Sequence, residues 1–222
     1  MPEGSSWLER HVPLRPPDSD GEELASALTH GVGALASVLG LVLLIVRAAH
    51  GDSASTVVGV TIFGTSMILL YSASCLYHSF REPNKKRICR IVDHSSIYLL
   101  IAGTYTPMTL AMGGVWGWTV FGIVWAFAFV GICLELFRMK KSRIVTAAVY
   151  LAMGWTIIIA WGPFTKVVSP EFFNWAIAGG LTYTVGTVFY AMKKMPYHHA
   201  VWHLFVLGGS AFLWIGIFFH LI

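Results

Sequence analysis

The feature that most constrains this chain is a succession of apolar runs, each about as long as a bilayer is thick, separated by short charged or turn-rich breaks. A helix needs ~20 mostly apolar residues to cross the hydrocarbon core. Seven stretches qualify, roughly Leu24–Arg47, Val57–Phe80, Ile91–Met112, Trp116–Phe137, Ile144–Gly162, Phe172–Met192 and His199–Leu221. None shows the strict alternation of a barrel strand. The fifth is the shortest, because Trp161, Gly162 and Pro163 are expected to end it early. Only 12% of the 222 residues are charged, about half of the ~25% usual in soluble domains. A core of this size cannot hide so much apolar side chain. That excludes an ordinary cytosolic enzyme, a nucleic-acid-binding protein and a disordered chain. The expected fold is therefore an all-α integral membrane protein, a seven-transmembrane-helix bundle over residues 22–222. Residues 1–21, with Pro13, Pro16 and Pro17 and no apolar run, read as a flexible cytosolic tail and not as a signal peptide. Cys75, Cys89 and Cys133 are an odd count without paired spacing, so no disulfide framework is expected.

The basic residues orient the bundle. Arg10 and Arg15 lie in the tail, and Arg81, Lys85, Lys86, Arg87 and Arg90 in the second loop. The fourth loop has Arg138, Lys140, Lys141 and Arg143, and the sixth has Lys193 and Lys194. That places 13 basic residues on one side, against Arg47 and Lys166 alone on the other. Because cytoplasmic loops retain lysine and arginine, the N-terminus is expected inside and the C-terminus outside.

Ionisable residues within spans are costly and mark function by default. Here they gather near the cytoplasmic leaflet. His199-Ala-Val-Trp-His203 opens the seventh span, and residues four apart share a helix face about 6 Å apart, so two imidazoles can reach one metal ion. Taken alone such a pair is more often an interface feature. Ser74-Cys-Leu-Tyr-His78 ends the second span with another i, i+4 pair, and Asp93 opens the third. Asp93 alone would suit a helix N-terminus or an Arg90 pair. Three histidines, His78, His199 and His203, with one carboxylate at the same depth form a more specific set. Three neutral imidazoles and a water make an open tetrahedral Zn²⁺ site, with the carboxylate holding or deprotonating the water.

The remaining candidates carry less weight. His198 lies five residues before His203, rotated about 140° from it, and His94 is set about 100° from Asp93. His220 is about 25 Å beyond His203 along the helix. Glu135 is read as a structural residue snorkelling towards Arg138 and Lys141, and Cys75 as a small core residue. Glu22, Glu23 and His30 belong to a helix start rich in favourable acidic residues, with Glu23 and His30 as supporting residues near the metal.

The segments EELASALTHGVGAL, YSASCLYHSF, VDHSSIYLLIAGTYTP and HHAVWHLFVLGG resemble signature blocks of the bacterial hemolysin III family. That family is the prokaryotic branch of the progestin and adipoQ receptor superfamily, which includes the adiponectin receptors. The resemblance runs from about Glu22 to the C-terminus. It implies seven helices with the N-terminus inside, zinc on His78, His199 and His203, and a zinc-bound water positioned by Ser74 and Asp93. Related sites resemble those of alkaline ceramidases, which implies hydrolysis of lipid amides. The chain departs from the receptors in lacking a long soluble N-terminal region, so a hormone-receptor role is not expected.

Two functional classes follow. One is a zinc hydrolase of a membrane lipid amide or ester, serving membrane lipid or fluidity homeostasis. The other is a non-enzymatic membrane-active protein, a pore or cytolysin or a sensor of bilayer state, in which zinc ties helices together. The charge asymmetry makes a direct prediction. A fluorescent reporter that folds only in the cytoplasm will light up when fused in the second loop and stay dark at the C-terminus. An alkaline phosphatase fusion will show the reverse; both fusions reporting one side would overturn the orientation.

Overall fold

A computed structural model describes residues 7–12, 14, 19–50, 53–137, 143–192 and 194–222. Of the basic residues used for orientation, Arg15, Arg138, Lys140, Lys141 and Lys193 lie outside the described residues, as does much of the expected tail. Among the described residues the chain is helix and turn throughout. A short helix α1 (Trp7–His11) precedes α2 (Asp20–Ala49), α3 (Ala54–Ser79), α4 (Pro83–Met112) and α5 (Gly114–Leu136). Then come α6 (Arg143–Gly154), a 3₁₀ segment (Thr156–Ala160), α7 (Trp161–Val167), α8 (Pro170–Ala191) and α9 (His198–His220). Among the described residues of the tail, Val12 is fully buried, and its carbonyl accepts from Arg87 Nε at 3.1 Å.

The starts of the long helices are written in local chemistry. Ser19 and Glu22 form a capping box that opens α2. Ser53 caps α3, and Ser169 followed by Pro170 opens α8. Glu82 accepts from the backbone N–H groups of Asn84 and Lys85 at 2.9 Å each, ahead of Pro83. Those bonds, that of Asn84 first, hold the exposed Glu82 carboxyl below the usual carboxylate range. Gly113 and Gly114, at φ +58° and +55°, make the tight turn from α4 into α5, a conformation that only glycine adopts without strain.

Five segments are long and apolar enough to cross a membrane: α2, α3, α5, the run Val145–Val167, and α9. The chain is a helical integral membrane protein. The α2 helix shows why, turning Leu24, Leu28, Leu35, Leu39, Val42 and Val46 outward. In water such a stripe would be a liability, and in lipid it is the solvated face. The remaining two long helices, α4 (30 residues) and α8 (22 residues), meet the length but are not among the five. In α4 the reason is interior chemistry. It buries Arg90, Asp93, Ser95, Ser96, Thr104, Thr106 and Thr109 against its neighbours, and a helix so enclosed has no need of an all-apolar surface.

The fifth stretch departs from expectation. The break lies earlier, at Gly154–Ala160, and Trp161, Gly162 and Pro163 begin a helix instead of ending one. Pro163 is tolerated because it sits in the first turn of α7, where the backbone N–H has no intrahelical partner. What supports the break is Tyr105 of α4. Its buried hydroxyl donates to Gly154 O at 2.6 Å and accepts from Ile157 N at 3.0 Å. One side chain thus satisfies a carbonyl and an amide near the interruption, as a water-poor interior requires. Trp155 Nε1 reaches Thr184 Oγ1 of α8 at 3.0 Å and fastens the same region sideways.

Lipid tails supply no hydrophobic drive between helices, so close packing and hydrogen bonds must hold them together. Tyr71 of α3 and Tyr183 of α8 both bond Ser210 of α9, at 2.6 and 2.7 Å. At the far end of α9, Arg47 of α2 donates to the carbonyls of Phe218 and Ile222. The contact between α8 and α9 is backbone-close: a Cβ on Gly179 would lie 3.1 Å from Gly209 O and 2.8 Å from Leu213 Cγ. Gly179→Leu should therefore force the two helices apart and cost roughly 1–3 kcal/mol, as overpacking does. Thermal unfolding of purified protein in detergent will report it, and an unchanged midpoint would rule out this contact.

Candidate metal centre

The last turns of α3, the first turns of α9 and the first third of α4 meet at one end of the bundle, beside the start of α2. α3 brings Ser74 and His78, α9 brings His199 and His203, and α4 brings Asp93. Among the described residues, His78, His199 and His203 form a group of metal-ligand donors, with ligand atoms all within 4.8 Å of one another. The ring centroids stand 4.6 Å apart for His199–His203, 5.0 Å for His78–His199 and 5.2 Å for His78–His203. His78 and His203 are buried and His199 is half-buried. Such a group can hold a metal ion.

The surrounding hydrogen bonds specify which nitrogens are available. His78 Nδ1 lies 2.7 Å from Glu23 Oε2, and its Nε2 is buried without a hydrogen-bond partner. His203 Nδ1 lies 3.1 Å from Ser26 O and 3.2 Å from Thr29 Oγ1. The Thr29 hydroxyl itself has backbone acceptors, Ala25 O at 2.9 Å and Ser26 O at 3.0 Å. A carbonyl can only accept, as can an ionised carboxylate, so in these bonds Nδ1 carries the hydrogen in both rings and Nε2 keeps its lone pair. An unpaired buried nitrogen beside two more imidazoles fits a cation that prefers nitrogen ligands.

The other expected residues fall as follows. Asp93 and Ser74 are buried and line one cavity together with His30, His199 and His203. The Ser74 hydroxyl lies near the Asp93 carboxyl without a well-formed hydrogen bond. His30 lies flat on His203, with centroids 3.5 Å apart and planes 9° from parallel, and both its nitrogens are buried without hydrogen-bond partners. Glu23 also accepts from Lys86 Nζ. Both supporting residues are thus at the histidine group.

His94 is closer than its helical angle implies, its Nδ1 3.6 Å from Asp93 Oδ2, although its hydrogen bond goes to Arg90 O at 2.9 Å. Glu135 is buried, and the Arg138 and Lys141 expected to attract it lie outside the described residues. His198 is buried but outside the three-histidine group, and Cys75 is half-buried and likewise outside it. His220 is at the opposite end of α9.

Sequence reasoning missed Ser26, Thr29 and Lys86. Ser26 acts through its carbonyl, which any residue could supply. Thr29 adjoins His30, and Lys86 was legible only as a charge that sets orientation. The cavity, of about 140 Å³, runs from the histidines and Asp93 at one end to Phe164 and Leu213 at the other. Ten residues of α9 separate His203 from Leu213, so it extends for about 15 Å along that helix.

A family model described as "Haemolysin-III related" matches residues 20–214. The chain belongs to the haemolysin III family. It is 48% identical over 200 residues to the Hemolysin-3 homolog of Bacillus subtilis (strain 168), covering 90% of this chain and 94% of that one. It is 43% identical over 202 residues to Hemolysin-3 of Bacillus cereus, covering 90% and 92%. The human Monocyte to macrophage differentiation factor is 26% identical over 199 residues, covering 86% and 80%. That likeness carries this haemolysin III chain into the wider progestin and adipoQ receptor superfamily. The histidine group lies inside the matched region.

The donor set predicts about one tightly bound divalent ion per chain. His199→Ala and His203→Ala should each lower bound zinc by more than tenfold, since each removes one of three ligands. Elemental analysis after dialysis against a weak chelator measures this; full retention in both variants would exclude the site.

Proposed function

We propose that this protein is a zinc-dependent hydrolase of membrane lipid amides or esters, acting in membrane lipid or fluidity homeostasis. The observation that carries the reading is the sharing of one elongated, largely apolar cavity by Asp93, Ser74, His199 and His203. A polar reacting group can sit at the histidine end while an acyl chain occupies the remainder. Three imidazoles suit zinc and leave a fourth position open. Zinc held by His78, His199 and His203 would supply a Lewis acid for the carbonyl and lower the pKa of its water.

The protein's own groups would then handle the proton. Asp93 accepts it as the water oxygen bonds to the carbonyl carbon. Asp93 returns it to the nitrogen or oxygen that leaves when the carbon–heteroatom bond breaks. Ser74, beside Asp93, holds the attacking oxygen in line. His30 keeps the plane of His203 by stacking on it, and the apolar walls around the cavity exclude other water.

The same reading places α4 and α8 as membrane spans, completing seven, with the N-terminus in the cytoplasm and the C-terminus outside. Both helices are long enough, and the stretch from the α3–α4 turn into the first turns of α4 carries the cluster Arg81, Lys85, Lys86 and Arg87. Lys86 of that cluster contacts Glu23 beside His78, which supports a centre near the cytoplasmic leaflet of the plasma membrane.

The name of the 43% identical relative, Hemolysin-3, supports a second reading: a membrane-lytic protein in which the same metal ties α3 to α9. The two separate experimentally. Zinc-loaded protein in nanodiscs, given ceramide and ester lipids labelled in the acyl chain, should release fatty acid. Asp93→Asn should keep its zinc while release falls by about 10²–10⁴-fold, the range of a lost general base. No release from any lipid class by the wild type would overturn the hydrolase. Dye leakage from liposomes that persists in Asp93→Asn would favour the second reading.

A further inference from the structure

The opening turns of α2 touch every element that carries a metal-ligand candidate. Glu22 Oε1 accepts the backbone N–H of Tyr197 at 2.7 Å. Tyr197 precedes α9 with φ +56° and supplies no side-chain cap of its own, so Glu22 fixes where the helix bearing His199 and His203 begins. One turn on, Ser26 O and Thr29 Oγ1 engage His203 Nδ1. Between them, Glu23 engages His78 Nδ1.

Glu23 is the most demanding of these contacts. Its side chain is only 15% exposed and that of His78 only 3%, so a carboxylate there needs compensation. Lys86 provides it on Oε1, leaving Oε2 for the imidazole. The result is a chain of contacts from Lys86 through Glu23 to His78, ending at the unpartnered Nε2. A carboxylate on the far nitrogen of a ligating histidine fixes its tautomer and raises its basicity as a ligand.

We propose that the opening turns of α2 are the outer shell of the metal centre, and that Glu23 is a positioning residue holding His78 with hydrogen on Nδ1 and its Nε2 lone pair directed at the ion. This rests on the metal reading above and extends it to a helix that supplies no ligand.

The test uses the full chain in detergent, with zinc alone as the probe against a competing chelator. Glu23→Leu should weaken zinc binding about 10- to 100-fold, the usual cost of losing such a partner. Glu23→Gln should fall between, because its amide oxygen still accepts from Nδ1 but carries no charge. In parallel, nitrogen-15 spectra of metal-free protein should show His78 protonated on Nδ1 in the wild type and a tautomer mixture in Glu23→Leu. If Glu23→Leu loses heat stability yet binds zinc as tightly as the wild type, Glu23 is merely a structural ion-pair partner and the proposal fails. It also fails if wild-type His78 carries its hydrogen on Nε2. Should Glu23→Leu not fold, Glu23→Gln makes the same comparison. A wild type that takes up no zinc removes the metal reading itself, and the tautomer then still decides whether Glu23 orients His78.

Discussion

A bilayer offers no water to a buried polar group, so each such group in the spans must find its partner within the protein. Most of this molecule's internal arrangement follows from that constraint. Where α6 gives way to a 3₁₀ turn, the hydroxyl of Tyr105 takes both Gly154 O and Ile157 N. Where α3, α8 and α9 meet, two tyrosines share Ser210. Satisfaction is the rule, which makes the exceptions informative. Several of the unpartnered buried nitrogens and oxygens lie at or beside the histidine end: His30 Nδ1 and Nε2, Ser74 Oγ, His78 Nε2 and His198 Nδ1.

Unsatisfied groups at that density are expensive, at about 1–3 kcal/mol for each one left without a partner. A fold stabilised mainly by packing between helices has little reserve for such costs. Ion binding and a polar substrate group would relieve them, and that links the packing of the histidine end to the proposed chemistry. Rigid outer contacts matter for the same reason. Imidazoles free to rotate would find carbonyls of their own, whereas rings held by Glu23 and Ser26 keep their ligand nitrogens unspent.

The likeness to bacterial haemolysin III proteins covers nearly the whole chain, and the 26% relative from human extends it across kingdoms. What the distant relative and this chain share is sequence over 199 residues. That likeness does not by itself assign a reaction. The proposed reaction depends on the cavity beside the histidines, lined by α2, α3, α4, α6, α7, α8 and α9 and by the broken stretch around Gly154.

The apolar runs were legible from residues alone, because a bilayer-length helix is a local property. So were His78, His199 and His203, because four-residue spacing puts two rings on one face and the position along each run sets their depth. The proximity of Glu23 and His30 to them was foreseen only as a neighbourhood. Their contacts, like that of the Ser26 carbonyl with His203 and of Lys86 with Glu23, required the helices to be assembled, since they join residues 55 to 177 positions apart. The fifth stretch makes the same division. Sequence located a weakness near Trp161, Gly162 and Pro163. Tyr105, some 50 residues earlier in the chain, supports the break at Gly154, because only the tertiary structure decides which buried hydroxyl can reach the freed backbone groups.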